Sequence, residues 1–326
     1  MTEQIGAALR LLYPDGRAIT PDSATDDFSL KSLCEDNVYS LTLTPRRAGL
    51  ALAAVEYDIP LPHDLTDVPE ELYIYDDSAY TNDFTSVVPY VGNETRTVYN
   101  LAVFKNLRTR KVFLCGLLTA HRFLAMFNLH DGLVTLRFDL EERELHAGEA
   151  YLLERFMVAE GTDNENVLLE AYGDAVAACN GARPDKPLPV GWCSWSCYYG
   201  NVNEEKIHRA ADGQATYTRA GESNLIQIDD GWQRCGSFCG KWVPDDTKFP
   251  SGLEATGQYV RDRGMTFGLW LAPWLLDDKS DYYGELKHLA REEATLGEHY
   301  HPFELGDPRY LAHLSATFRE MTERYG

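Results

Sequence analysis

The chain is short of positive charge. Its 30 lysine and arginine residues stand against 51 aspartates and glutamates, a formal net charge of −21. Nucleic-acid phosphates are held by basic patches, so this deficit argues against a nucleic-acid partner. Long apolar runs are also missing. Nothing approaches the ~18 consecutive apolar residues of a membrane span, and no membrane partner is expected. The opening MTEQIGAALRLLYPDG has no basic stretch ahead of an apolar one, which predicts no signal peptide and a cytoplasmic location. No glycine-rich fingerprint follows a strand-like run, which counts against a dinucleotide fold. Tryptophan is absent from the first 191 residues; all six, at 192, 195, 232, 242, 270 and 274, fall within 83 residues.

Seven cysteines in a chain without an export signal read as reduced thiols. Two pairs, Cys193/Cys197 and Cys235/Cys239, share a C-x3-C spacing, looser than the C-x2-C knuckles of structural zinc. Both are expected to be buried or loop thiols, with neither a metal nor a disulfide.

What is present divides at about residue 180. In the stretch Leu133 to Leu140, Val134, Leu136 and Phe138 alternate with Thr135, Arg137 and Asp139, the period-two pattern of a half-buried strand. Similar runs (VYSLTL, ELYIYDD, TVYNLAVF, KVFLCGLL, HRFLAMF) are separated by turn residues such as the His-Asp-Gly before Leu133. This spacing predicts an antiparallel β-sandwich over residues 1–180, with a helix over ENVLLEAYGDAVAAC at its end and a linker at 181–188. Beyond Pro189 the rhythm changes to strand followed by helix. PVGWCSW, NLIQIDD and MTFGLWLAP read as strands, the second apolar enough to be buried on both faces. Helices are expected after Asn203, after Ser251, and from Asp307-Pro308 onward, the last presenting Leu311, Leu314, Phe318, Met321 and Tyr325 at helical spacing. Three strand–helix units in succession imply parallel strands. Residues 185–326 number 142, against about 250 for a closed (β/α)8 barrel. The expected fold is therefore multidomain α/β. The sandwich is followed over 189–326 by the first three βα units of a TIM barrel, incomplete in this chain and so an N-terminal fragment.

Chemistry is expected where parallel strands end. Trp195, Trp232 and Trp270 each lie at or just past such an end, and an indole offers a flat apolar platform suited to the C–H face of a pyranose. Asp229 and Asp230 close the second strand. No histidine neighbours them in sequence, so a metal site is disfavoured; the His299-Tyr300-His301 stretch is remote and reads as a solvated loop. A hydrolytic carboxylate pair must flank the scissile bond about 5–5.5 Å apart in a retaining enzyme, which adjacent strand residues pointing to opposite sides are poorly placed to do. Acceptance of several sugar hydroxyls is the stronger reading, with an Asp-Gly turn cap as the alternative.

PVGWCSW, IQIDDGWQ, GKWVPDDTKFPSGL and FGLWLAPW, in this order, resemble glycoside hydrolase family 36, the melibiase-type α-galactosidases together with the raffinose-synthase-like enzymes. The likeness is dense over residues 189–275 and looser before them. It implies that Asp229 and Asp230 hold the O4 and O6 hydroxyls of a terminal α-galactose and that Trp195, Trp242 and Trp270 line the same pocket. The chain departs from the family at Lys241, where Gly-Asp-Trp is usual. The resemblance implies a retaining hydrolase of small α-galactoside oligosaccharides that needs no metal or organic cofactor, and a homo-oligomer. The nucleophile and the acid/base are expected beyond Gly326, so these 326 residues alone are expected to be inactive. A galactosyl transglycosylase and a non-catalytic sugar-binding protein remain the alternatives.

Overall fold

A computed structural model of the chain describes residues 9–20, 26–76, 85–90, 95–183, 185, 188–217, 219, 223–294 and 297–325. The chain forms two compact units, Met1–Asp185 and Lys186–Gly326.

The first unit is built from alternation. A six-stranded antiparallel sheet runs in the order Ala18–Ile19, Leu9–Leu12, Ala54–Pro60, Leu133–Asp139, Leu124–His130, Arg96–Val98. A seven-stranded one runs Phe28–Glu35, Val38–Pro45, Tyr151–Thr162, Lys111–Leu117, Leu101–Asn106, Leu72–Asp76, Ser86–Pro89. Val134, Leu136 and Phe138 are wholly buried, opposite Ile59, Tyr57 and Val55. Each apolar position of the period-two pattern therefore faces the other sheet. One continuous core joins the two faces, with Leu9, Phe127 and Phe138 from the first sheet and Phe104, Phe113 and Phe156 from the second; Tyr39 stacks on Phe156 at 5.2 Å. The turn expected before Leu133 is a two-residue hairpin loop, Asp131-Gly132, with φ of +47° and +73°. That doubly positive geometry matches the right-handed strand twist and favours glycine at its second position.

Helix Glu165–Asn180 packs on the outer face of the seven-stranded sheet, Leu168 meeting Val112, Leu114, Met157 and Ala159. Asn164 caps its start by accepting the Asn166 N–H at 3.1 Å. Glu154, 2% exposed, bends the nearby loop around its carboxylate, which accepts the backbone N–H groups of His121, Arg122 and Phe123 at 2.9, 2.6 and 3.0 Å.

In the second unit three short strands, Gly191–Cys193, Leu225–Ile228 and Thr266–Leu269, form a parallel sheet in that order. Helices Glu204–Tyr217, Leu253–Arg261 and Pro308–Tyr325 follow them. Asn203 caps the first, accepting the Lys206 N–H at 3.0 Å. The second buries Leu253, Thr256, Gly257 and Val260. Among the described residues no helix is long and apolar enough to cross a membrane.

Three expectations change here. The middle strand is buried on one face only: Ile226 and Ile228 are sealed, while Leu225 and Gln227 are half-exposed. The last helix buries Tyr310, Met321 and Tyr325 but leaves Leu311 and Phe318 at 47% and 46% exposure. Those two flank the packed stripe instead of belonging to it. The His299-Tyr300-His301 stretch is not a loop throughout, since Tyr300–Pro302 is a strand paired with Leu275–Asp277, and His299 Nδ1 lies 3.0 Å from Asp278.

Candidate functional site

The parallel register brings the predicted site residues to one end of one sheet. The ladder between the second and third strands continues one step past Leu269, where the Trp270 N–H donates to Ile228 O at 2.8 Å. Trp270 therefore lies beside the start of the Asp229-Asp230 turn. On the other side, the Asp229 N–H donates to Ser194 Oγ at 2.9 Å, and the Ser194 N–H to Gln227 O at 3.1 Å. Ser194 is fully buried, while its neighbour Trp195 is 42% exposed and meets Tyr199 edge-on at 5.2 Å.

Neutral groups hold the two carboxylates. Asp229 Oδ2 accepts the Cys193 thiol at 3.2 Å, and Oδ1 accepts the Asp230 N–H at 2.8 Å. Burial and the bond to Asp229 push the Cys193 thiol above its ordinary pKa, keeping it a donor. Asp230 Oδ1 accepts Gln233 Nε2 at 2.6 Å, and its Oδ2 accepts the Ser237 hydroxyl. A carboxylate offers about four acceptor sites. Each of the pair therefore spends two within the fold, and among the described residues no donor takes the other two.

The Asp-Asp-Gly turn is fixed from below. Gly231 has φ +109°, and a Cβ there would stand 2.6 Å from Gly200 Cα and O. Only glycine allows the 199–201 segment to come so close. Lys248 Nζ clamps the approach, donating to Gly200 O at 3.0 Å and Gly231 O at 2.6 Å. The chain then doubles back, and Trp232 turns inward, wholly buried, to donate Nε1–H to Trp270 O at 2.9 Å.

Of the predicted platforms, Trp195 and Trp270 stand at strand ends with part of their surface free, whereas Trp232 is core. Trp242 is corrected as well. It is 4% exposed, edge-on to Trp270 at 6.0 Å and tilted against Trp232 at 6.3 Å. It backs Trp270 instead of offering its own face, because the Gln233–Pro244 bridge folds its segment onto the core. Asp245 and Asp246 are both engaged within the chain. Thr247 caps hold the Asp245 carboxyl below its usual range, and Asp246 pairs with Arg234 at 2.5 Å.

One cysteine pair is also corrected. Cys235 and Cys239 are joined in a disulfide, their Cα atoms 5.7 Å apart and thus within bridging reach. Cys193 and Cys197 are free thiols. Sequence reasoning passed over Ser194, Gln233, Ser237 and Lys248. Ser194, Gln233 and Lys248 sit inside the quoted motifs, but no periodicity marks a residue whose task is to hold another. Among the described residues no three His, Cys, Asp or Glu side chains gather in a metal-holding group. A groove of about 790 Å³ in the first unit, lined by Tyr73, Tyr75, Val103, Lys105 and Glu165, is mostly apolar, and its two charges are spent on each other.

Residues 172–290 match the Melibiase family model. The alpha-galactosidase AgaA of Geobacillus stearothermophilus is 28% identical over 145 residues, covering 43% of this chain and 19% of that protein. An alpha-galactosidase of Escherichia coli is 32% identical over 105 residues, 31% of this chain and 14% of the relative. Among solved structures, the family 36 alpha-galactosidase AgaA of Geobacillus stearothermophilus, in complex with 1-deoxygalactonojirimycin, shares the fold with a TM-score of 0.71 at 15% identity. The match covers 98% of this chain and 54% of that one. TtGalA of Thermus thermophilus, in complex with p-nitrophenyl alpha-D-galactopyranoside, gives a TM-score of 0.61 at 18% identity over 91% of this chain and 62% of that one. The chain thus spans 54% and 62% of these two solved structures, and its aligned part a fifth or less of these curated relatives. The resemblance to glycoside hydrolase family 36 is borne out.

Proposed function

We propose that this chain, of the family 36 α-galactosidase type, supplies the galactose-recognition half of a retaining α-galactosidase acting on small oligosaccharides. The first unit, over residues 1–180, is read as the family's β-sandwich. The three strand–helix units over 189–326 are read as the opening of a (β/α)8 barrel, with 181–188 as the linker. Asp229 and Asp230 accept the O4 and O6 hydroxyls, and Trp195 and Trp270 face the ring's C–H surface. The axial O4 separates galactose from glucose. A site built to bond a hydroxyl rejects a sugar that places it elsewhere, because the acceptor is then left unmet.

The reaction itself is assigned to carboxylates outside residues 1–326. One attacks the anomeric carbon and displaces the aglycone, which the other protonates. Water then cleaves the galactosyl ester with net retention. This chain's part is to fix the sugar in place, which lowers the entropic share of the barrier.

The observation that supports this reading most directly is the pair of half-used carboxylates at a strand end, with two partly free indoles just past the ends of the neighbouring strands. Replacing Asp229 by alanine removes a charged acceptor, and each such bond contributes about 1.5–3 kcal/mol. Galactose affinity in the complete protein is expected to fall roughly a hundredfold, read by calorimetric titration. Unchanged affinity would leave the turn-cap reading in place.

A further inference from the structure

Asp230 has little to orient it from the backbone. The ladder has ended, its N–H is spent on Asp229 Oδ1, and the next residue takes a φ of +109°. Its direction is set by two side chains. Gln233 belongs to the same turn, 3% exposed, with its Oε1 accepting the Gly231 N–H at 3.2 Å. Ser237 comes from outside the turn, on an excursion of five residues that begins and ends on the disulfide between Cys235 and Cys239.

We propose that Ser237, presented by the Cys235–Cys239 loop, is a positioning residue that aims the Asp230 carboxylate at the ligand's hydroxyls. This rests on the reading of Asp229 and Asp230 as hydroxyl acceptors. The loop's far end is anchored. Cys239 is wholly buried against the core of the second unit, and its carbonyl accepts the Ser280 hydroxyl at 2.8 Å. Phe238 O accepts the Asp277 N–H at 2.8 Å, and the Phe238 ring meets Tyr300 at 4.9 Å. The near end is held more lightly: Cys235 is partly buried against the same core with its Sγ 3.8 Å from Lys241 O, the Arg234 N–H before it donates to Val243 O at 2.8 Å, and the exposed Gly236 accepts only a long 3.4 Å bond from Gln233 Nε2. The disulfide joins wholly buried Cys239 to partly buried Cys235 and so restrains the span between them, Ser237 included. A serine hydroxyl reaches only as far as its backbone allows, so Ser237 donates to Asp230 only while the loop is held. A carboxylate with one oxygen released can rotate away from the direction a sugar hydroxyl needs.

The test titrates galactose and glucose into the complete protein and four altered forms of it. These are Ser237→Ala, Ser237→Thr, the double variant Cys235→Ser/Cys239→Ser, and Asp230→Ala. Loss of one bond to a charged acceptor predicts that Ser237→Ala weakens galactose about tenfold and narrows its preference over glucose. Ser237→Thr, which keeps the hydroxyl, restores both; a merely structural role for the side chain would not give that rescue. The double cysteine variant weakens galactose by a similar factor and adds little on top of Ser237→Ala. Wild-type protein reduced with excess dithiol behaves likewise. There the S–S bond takes two electrons and two protons to give two thiols, and the reagent closes to its own disulfide. Faster amide exchange over 235–239 on reduction follows without any sugar present. Wild-type galactose affinity in Ser237→Ala, together with its loss in Asp230→Ala, overturns the positioning role and leaves the acceptor reading intact. Wild-type affinity in both, or no galactose binding by the wild type, overturns the acceptor reading and this inference with it. A weak Ser237→Ala beside an unaffected cysteine variant removes the disulfide from the argument.

Discussion

Gly231→Ala is the substitution that most directly tests how the Asp-Asp-Gly turn is held. Two costs add. Alanine at φ +109° sits in a region that costs about 1–3 kcal/mol for a residue with a Cβ. The new methyl would also lie 2.6 Å from Gly200 Cα and O, atoms of the backbone that cannot rotate aside, and such overpacking costs about 1–3 kcal/mol more. Partial relaxation is opposed by Lys248, which ties both carbonyls to one ammonium. We expect a loss of about 3 kcal/mol, taken by the second unit alone. The assay is clean, because all six tryptophans lie between positions 192 and 274 and hence in that unit. Urea unfolding followed by tryptophan emission reports it without contribution from the first unit, which avoids forcing a two-unit protein into one transition. Galactose affinity should fall at least tenfold, since the carboxylates move with the turn. A variant within about 0.5 kcal/mol of wild type, the range of an ordinary surface change, would mean that the 199–201 segment yields freely. The claim that two apposed loops fix the acceptors would then be wrong.

Three other outcomes follow from the same geometry. Trp195→Ala should weaken galactose binding while leaving urea stability nearly unchanged, whereas Trp242→Ala should cost about 3–5 kcal/mol of stability through the cavity it leaves; equal stability losses would refute the division between platform and core. Lys248→Met should loosen the 199–201 segment, seen as faster amide exchange there, and unchanged exchange would remove the clamp from the account. At Glu154 burial pushes the carboxyl pKa up, but the Thr119 hydroxyl and three backbone N–H groups outweigh it and hold the pKa below its ordinary value. Such a group contributes stability above its unfolded pKa, about 4.3, and loses it as pH falls through the folded value. Protection of the His121, Arg122 and Phe123 amides should therefore fade on acidification, and Glu154→Gln should remove it at neutral pH at a cost of about 2 kcal/mol.

The difference between what the residues revealed and what they hid comes down to periodicity. The sandwich strands were legible because burial on one face writes period two into the sequence, and Val134, Leu136 and Phe138 carry it plainly. The three parallel strands and the caps at Asn203 and Asp307 were legible for the same local reasons. The half-open middle strand was not, since Leu225 and Gln227 look no different in sequence from residues with a neighbour over them. Tryptophan position was legible, but tryptophan direction was not. Trp232 and Trp270 sit at comparable strand ends, yet the left-handed step at Gly231 turns one ring into the core. Nor could spacing separate the two C-x3-C pairs. Cys235 and Cys239 lie on a loop that returns on itself, whereas Cys193 ends a strand, and its thiol is engaged by Asp229 across the sheet. Where two identical spacings have different chemistry, the deciding variable is the path of the backbone between them. That path depends here on residues such as Gly231, Ser237 and Lys248, whose identity matters only through contacts distant in sequence or across a turn.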